Sequence, residues 1–280
     1  SDNENGIGGE TSKYITVSTS IGNMTRVATD EKGGQTFEEG DEISVYAWTG
    51  APTVAPETSE RVVNNAINKL TNGAWVATPQ MLWKNNREKH YFIGVYPTAA
   101  ISDLSAGEYT FDANKQTESD LLVAVNPDGL SYSADAQQTV PLTFTHVMAK
   151  LAVNLTYKNQ WGGIPTVEKV VVGNAAKEAT INYLTKVVTP STTAKEDFSL
   201  PEITENTKYV SVIIPQEDVK QLTIVIGGKN FVYDNGTPFK LESGKITTVN
   251  LEVGRDEIKL GDVKITNWED GITFSGEALN

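Results

Sequence analysis

The chain has 280 residues, of which 36 are acidic and 23 are basic, so its formal net charge is −13. Such an acidic surface repels nucleic-acid phosphates and anionic lipid headgroups, which argues against both as partners. Cysteine is absent, so disulfides, thiolate nucleophiles and cysteine-based metal sites are excluded.

The chain opens with a polar, glycine-rich stretch, and residues 1–12 are expected to form a flexible N-terminal tether. Four segments of the first half combine alternation with β-branched or aromatic residues, which predicts β-strands: residues 13–20, 42–48, 74–83 and 90–96. A tight turn at Glu39-Gly40-Asp41 is expected to precede the second strand. Pro97 is expected to end the fourth strand, which is predicted to be central in its sheet.

Residues 59–70 allow two interpretations. Their apolar residues recur at helical spacing, with Ser59 as a candidate N-cap, which favours a helix: Val62, Val63, Ala66, Ile67 and Leu70. The portion from Val62 to Asn65 pairs equally well as a strand. Periodicity alone leaves both open.

The second half continues with short strands, predicted at residues 147–157, 167–172, 179–188, 209–214, 221–226, 230–233, 246–253 and 263–268. Turn residues separate the predicted strands of both halves, including a turn at residues 126–129 and a two-residue hairpin turn at Gly227-Gly228. This pattern predicts an all-β protein of two tandem antiparallel β-sandwich domains, residues 13–145 and 146–280.

Motifs for chemistry are missing from the sequence. The two histidines, His90 and His146, stand apart and form no metal-ligand pattern, and there is no serine-hydrolase elbow or nucleotide-binding loop. We therefore predict no catalytic residues, no metal and no cofactor, although a pair of glycosidase carboxylates is not excluded by spacing.

The five tryptophans are candidate sugar-stacking residues. Trp48, Trp75 and Trp83 lie in or beside predicted strands, where core packing is the simpler interpretation. Trp161 stands outside them and keeps open an alternative function, that of a surface glycan-binding β-sandwich lipoprotein.

Several local patterns follow one another in a characteristic order: residues 24–28 (MTRVA), 37–46 (FEEGDEISVY), 64–65 (NN) before Trp75, 82–83 (LW), 91–97 (YFIGVYP), 120–124 (DLLVA), 142–151 (LTFTHVMAKL), 244–251 (GKITTVNL) and 265–268 (ITNW). In this order they resemble the fimbrillin family of Gram-negative anaerobic bacteria. A departure is residues 245–247 (KIT), where an aromatic residue is commoner. The resemblance also favours extended structure for residues 62–70.

The resemblance implies two transthyretin-like domains and a structural subunit or tip adhesin of a surface fimbria, without enzymatic activity. It implies an outer-membrane lipoprotein, anchored through a cysteine that would precede Ser1. Its partners would be other fimbrial subunits, a trypsin-like processing protease, and a host or bacterial surface receptor. Stalk, anchor and tip roles remain open.

The resemblance further implies assembly by donor-strand exchange, in which a protease removes the first strand, residues 13–26, and a neighbour's strand replaces it. Arg26 and Val27 match the cleavage position; the alternative is an ordinary exposed arginine. The side chains that would plug the groove are Ile15, Val17, Thr19 and Ile21. A candidate donor segment near the C-terminus contains Ile272 and Phe274; the alternative there is a frayed end.

Overall fold

The computed structural model describes residues 13–22, 36–132 and 138–268. Within these ranges the first half forms eight strands: β1 (Val17–Ile21), β2 (Glu42–Thr49), β3 (Val63–Thr71), β4 (Ala74–Thr78), β5 (His90–Tyr96), β6 (Gly107–Thr110), β7 (Leu122–Leu130) and β8 (Val140–His146). A single helical turn, α1 (Gln116–Ser119), precedes β7, and a 3-10 turn covers Thr58–Glu60.

The described residues of the second half form eleven strands: β9 (Ala149–Tyr157), β10 (Val167–Ala176), β11 (Glu178–Asn182), β12 (Val187–Pro190), β13 (Lys195–Ser199), β14 (Glu202–Thr204), β15 (Lys208–Ile213), β16 (Gln221–Ile226), β17 (Lys229–Asp234), β18 (Lys245–Val253) and β19 (Ile258–Asn267). A 3-10 turn covers Asn159–Trp161. The prediction of an all-β protein is confirmed.

Two compact units divide the chain, and each draws on separate stretches of it. Unit 1 comprises Ser1–Gly107, Leu121–Thr145 and Ile181–Val187. Unit 2 comprises Glu108–Asp120, His146–Thr180 and Val188–Asn280.

Unit 1 is built on a seven-stranded sheet in the order β1-β8-β7-β5-β2-β3-β4. Its inward face forms an apolar core: Ile15, Val17, Ile21, Ile43, Val45, Ala47, Val63, Ala66, Met81, Phe92, Leu122, Ala124, Val140, Leu142 and Phe144. The aromatic strand β5 lies between β7 and β2, so the prediction of a central strand there is confirmed.

A late segment of the chain completes unit 1. Tyr183, which is 3% exposed, donates its backbone N–H to the Leu104 carbonyl at 2.8 Å. Gly107 makes room for its ring, because a Cβ at this position would lie 2.6 Å from Tyr183 Cε2.

Unit 2 contains a five-stranded sheet in the order β14-β15-β9-β18-β19 and a four-stranded sheet in the order β13-β10-β16-β17. The predicted hairpin is present: Ile226 pairs with Lys229 across Gly227 and Gly228, both at positive φ. Gln116 of α1 bonds to β15, because its side chain donates to Ser211 Oγ at 2.8 Å and accepts from the Val212 N–H at 2.9 Å.

The sequence predicted antiparallel sheets, but two of the described strand pairs are parallel. β1 runs parallel to β8, and β9 runs parallel to β18. In each pair a long stretch of chain lies between the two strands, which gives a parallel pair the crossover connection it needs.

The helical interpretation of residues 59–70 is wrong. β3 covers most of this segment and pairs with β2 and β4, with Asn65 at a φ of 55° where the pairing with β2 shifts. The apolar residues at helical spacing are distributed along a strand with a bulge, which disturbs the alternation expected of a regular strand.

The predicted turn at residues 126–129 lies inside a strand. His90 pairs with Leu130 and Phe92 with Asn126, so the turn residues bulge out of β7 between these pairs. Gly129 has a φ of 74°, and its N–H donates to Asn126 Oδ1 at 3.2 Å. The local turn chemistry was therefore predicted correctly, but its place in the sheet was not.

Candidate functional site

The first strand and the residues just before it form backbone hydrogen bonds with two different parts of unit 1. On one side β1 pairs with β8 over its whole length, from Val17 with Val140 to Ile21 with Phe144. On the other side Tyr14 pairs with Leu82, and the Ile15 N–H donates to the Met81 carbonyl at 2.7 Å. Taking this segment away would leave backbone groups without partners on both sides.

Alternate side chains of the segment enter the core. Ile15, Val17 and Ile21 are 3%, 6% and 5% exposed, whereas Thr16 and Ser18 are exposed. Burial of an aliphatic side chain of this size contributes roughly 2 kcal/mol. The predicted plug residues therefore lie together in a single row that fills the core of unit 1.

Thr19, the remaining predicted plug residue, makes a polar contact in the same row. Trp75 Nε1 donates to Thr19 Oγ1 at 3.1 Å. The next residue of β1, Ser20, donates its Oγ hydrogen to Thr143 Oγ1 of the neighbouring strand β8 at 3.3 Å. The bond from Trp75 to Thr19 was not predicted, because two residues so far apart in the chain share no local signal.

From Phe37 onward the chain makes further contacts with unit 1. Phe37 packs edge-on against Trp75, Tyr96 and Phe144, with ring centroids 5.1–5.4 Å apart. Glu39 accepts the N–H groups of Asn72 and Gly73 at 2.7 and 2.9 Å, and these bonds lower the pKa of its carboxyl group. These contacts use none of the side chains of β1.

The other predicted site residues lie outside the described part of the chain. Arg26 and Val27, the candidate cleavage position, fall between residues 22 and 36. Ile272 and Phe274, the candidate donor segment, follow residue 268.

A polar residue that sequence reasoning missed also lies on the inner face of unit 1. Asn68 is 1% exposed on β3, where it pairs with Ile43 of β2 and Ala77 of β4. Its Nδ2 donates to the Ala66 carbonyl at 3.2 Å and contacts Met81 Sδ at 3.7 Å. Asn68 was not singled out from the sequence, because the choice between helix and strand for residues 59–70 was left open.

The histidines have structural partners. His90 is fully buried; its Nε2 accepts the Lys84 N–H at 3.0 Å, its Nδ1 donates to the Glu88 carbonyl at 3.1 Å, and burial lowers its pKa. His146 bonds to Asp120 at 2.9 Å and stacks on Trp268 with centroids 4.1 Å apart.

Neither histidine belongs to a metal-binding group. Within the described ranges no cluster of three or more His, Asp or Glu side chains has metal-binding geometry. In the same ranges no helix is both long and apolar enough to cross a bilayer.

Unit 2 contains a buried lysine beside the same tryptophan. Lys150 is 1% exposed on β9, with its Nζ 4.5 Å from the centroid of the Trp268 ring. Burial lowers the pKa of Lys150 to about 8, and the nearby charge of Asp120 opposes that effect. Lys150 is thus buried against the Trp268 ring, as is typical of a residue with a structural role.

Trp161, the candidate sugar-binding tryptophan, is engaged by its own neighbours. Its Nε1 donates to the Val253 carbonyl at 3.0 Å, and the Arg255 guanidinium lies 4.9 Å from the ring centroid. The rings of Tyr157 and Phe231 meet it edge-on. This packing does not favour a sugar-stacking platform.

Comparison with known proteins gives both a family and a fold. The family model described as fimbrillin-like matches residues 25–268. No curated protein matches this sequence.

Three solved structures are similar. A candidate cell adhesion protein from Bacteroides ovatus has a TM-score of 0.69 at 17% identity, over 91% of this chain and 98% of that chain. One from Bacteroides uniformis has a TM-score of 0.69 at 18% identity, over 91% and 99%. The tip fimbrial protein Mfa3 from Porphyromonas gingivalis, with a C-terminal truncation, has a TM-score of 0.52 at 12% identity, over 82% and 95%. At these identities the likeness shows the fold.

Proposed function

The chain belongs to the fimbrillin-like family, and from this membership we propose that it is a subunit or adhesin of a bacterial surface fimbria that assembles by exchange of its first strand. The observation that carries the assembly step is the position of β1. It lies at the edge of its sheet beside β8 and sends Ile15, Val17 and Ile21 into the core.

Removal of the strand would create a strong demand for a replacement. β8 would be left as an open edge, whose unpaired N–H and C=O groups are a template for an incoming strand. The core would lose three aliphatic side chains that together contribute roughly 6 kcal/mol. An extended segment with apolar residues at alternate positions restores both the hydrogen bonds and the packing.

The bonds that hold β1 differ from those that hold the chain after it. Phe37 and Glu39 contact other strands of unit 1 directly, Phe37 through the Trp75 ring and Glu39 through the Gly73 N–H. A cut between β1 and Phe37 would free the strand from the covalent chain, while Phe37 and Glu39 would remain part of the rest of unit 1. Arg26 and Val27 lie in this interval, so we assign cleavage to the bond between them, by a trypsin-like protease.

The remaining parts of the proposal follow from the family. Neighbouring fimbrial subunits supply the replacement strand, and Ile272 and Phe274 are the candidate apolar residues of this chain's own donor segment. A lipid anchor at the outer membrane and a surface receptor complete the assignment. We propose no enzymatic activity.

Limited digestion of the full chain tests the assembly step. After treatment with a trypsin-like protease, the parent protein should elute as larger oligomers in size-exclusion chromatography, whereas Arg26→Ala should remain monomeric. Arg87→Ala, which removes another exposed arginine, is the matched control and should behave like the parent. If the parent is cut at Arg26 but stays monomeric and unfolds no more easily, strand exchange at this site is wrong.

A further inference from the structure

Unit 1 has a cleft close to the point where the first segment of the chain enters the sheet. Its volume is about 780 Å³, and its lining includes Leu82, Trp83 and Lys84 together with Val54 and Arg61 from the connection between β2 and β3. We call it the Trp83 cleft. Val54 and Leu82 are 62% and 48% exposed, so the cleft offers apolar surface that the described residues leave uncovered.

Backbone contacts show where the chain before β1 meets this cleft. Tyr14 forms an antiparallel bridge with Leu82. The Trp83 N–H donates to the Lys13 carbonyl at 3.4 Å. Because the two stretches run antiparallel, the chain that precedes Lys13 leaves this pairing beside Trp83 and in the direction of Lys84. Both of these residues line the Trp83 cleft.

The cleft has two cations beside its apolar surface. Lys84 is exposed. Among the described residues, the Arg61 guanidinium donates to neutral oxygens, Asn64 Oδ1 and the Ser102 carbonyl, at 2.8 Å each. Glu60 also lines the cleft, so cations outnumber anions in its lining. An acidic segment with an apolar side chain would complement this surface.

The segment before the first strand has this chemistry. Residues 1–12 contain no lysine or arginine and three acidic residues: Asp2, Glu4 and Glu10. Ile7 is the one large apolar residue among them. An extended chain rises about 3.3 Å per residue, so the six residues between Ile7 and Lys13 span up to roughly 20 Å. Since Lys13 is bonded to Trp83, Ile7 can reach the cleft.

We propose that the Trp83 cleft binds residues 1–12 of the same chain, with Ile7 against its apolar surface. The acidic side chains of the segment face the two cations of the cleft. The tether expected from the composition is then held at one point in the intact chain. This contact goes beyond the proposed function, because it adds a second site at which the piece of chain that carries β1 is bound.

Thiol labelling of single-cysteine variants tests this contact. The chain has no cysteine, so Leu82→Cys places one thiol in the cleft, and Val54→Cys gives a second reporter there. Val76→Cys is the matched control, because Val76 is 52% exposed on β4 and does not line the cleft. The rate of reaction with a maleimide is measured under native conditions and divided by the rate in denaturant.

Ile7→Ser should raise the labelling rate at positions 82 and 54 by about fivefold, because the gain from burying one isoleucine is partly offset by ordering the chain around it. The rate at position 76 should not change. If Ile7→Ser leaves the rates at positions 82 and 54 unchanged, residues 1–12 do not occupy the cleft and the proposal is overturned. Protection that increases with protein concentration would assign the cleft to a second copy and would also overturn it.

The charge complementarity has its own test. A variant with Asp2→Asn, Glu4→Gln and Glu10→Gln should raise the labelling rate at position 82 by about threefold at low ionic strength. In about 1 M salt the parent should label as fast as this variant, because the salt screens the attraction. Equal rates in the parent and the variant at low salt would refute the pairing of the acidic residues with the cations.

Digestion separates this contact from the proposed function. When the trypsin-like protease has removed the first strand together with residues 1–12, the thiol at position 82 should react as fast as in Ile7→Ser. In Arg26→Ala it should stay protected. If the chain is not cut at Arg26, the proposed function fails, while the labelling of the uncut chain still decides whether residues 1–12 bind. If the strand is removed and the thiol stays protected, something else covers the cleft and the proposal is overturned.

Discussion

Replacing Ile21 with alanine measures how firmly β1 holds the core of unit 1. Ile21 is 5% exposed, pairs with Phe144 of β8, and lies in the apolar core. The change removes three carbon atoms worth about 0.8 kcal/mol each, and the cavity left behind adds to the loss. We expect the free energy of unfolding of unit 1 to fall by about 3 kcal/mol.

The assay is urea unfolding followed by tryptophan fluorescence, with two controls. Ser18→Ala changes an exposed side chain of the same strand and should alter the free energy of unfolding by less than about 0.5 kcal/mol. Ile246→Ala changes a fully buried residue of β18 and should weaken unit 2 by a similar 3 kcal/mol. If Ile21→Ala is no more harmful than Ser18→Ala, β1 does not fill the core and the reasoning fails.

Three further changes test other contacts. Lys150, with its pKa lowered to about 8 in the fold, binds fewer protons folded than unfolded between pH 8 and 10, so stability should rise across that range by up to about 3 kcal/mol. Lys150→Met should abolish the rise in urea unfolding measured at both pH values. A double-mutant cycle of Trp75→Phe and Thr19→Val should give a coupling of about 1 kcal/mol from their hydrogen bond, and a coupling near zero would contradict it. Gly94→Ala should destabilise unit 1 by about 2 kcal/mol, because its Cβ would lie 2.6 Å from Phe144 Cζ; Phe144→Leu in the same chain should recover part of the loss in thermal unfolding.

Strands with a strong local signal were predictable from the sequence. His90–Tyr96 and Gln221–Ile226 have the predicted bounds, since each is a β-favouring run ended by Pro97 or by a glycine pair. The first strand was predicted as an alternating segment, and its inward row, Ile15, Val17, Thr19 and Ile21, follows from a period of two.

Irregular strands were harder to predict. Residues 179–188 were expected to form one strand but contain β11 and β12, because Asn182 and Lys186 close a turn through a backbone bond of 2.6 Å. β4 ends at Thr78, before Pro79, although the apolar pattern continues to Trp83. In the first case a local turn divides the predicted strand, and in the second Pro79, which has no N–H to donate to a sheet, follows the last residue of the strand.

The candidate site was predictable as a row of side chains but not as a groove. Nothing in the sequence shows that Met81 and Trp75 contact the first strand. These contacts join residues more than 50 positions apart, whereas periodicity describes only neighbours along the chain.

The interleaved make-up of unit 1 affects how the protein can be synthesised and dissected. Unit 1 includes residues 181–187, and the ring of Tyr183 covers Gly107. During synthesis, unit 1 therefore cannot finish folding as soon as β8, the last strand of its sheet, leaves the ribosome. A recombinant fragment that stops near residue 145 would lack this ring and expose the surface it covers. Expression of the N-terminal unit by itself would therefore require residues 181–187 to be supplied on a graft or a linker.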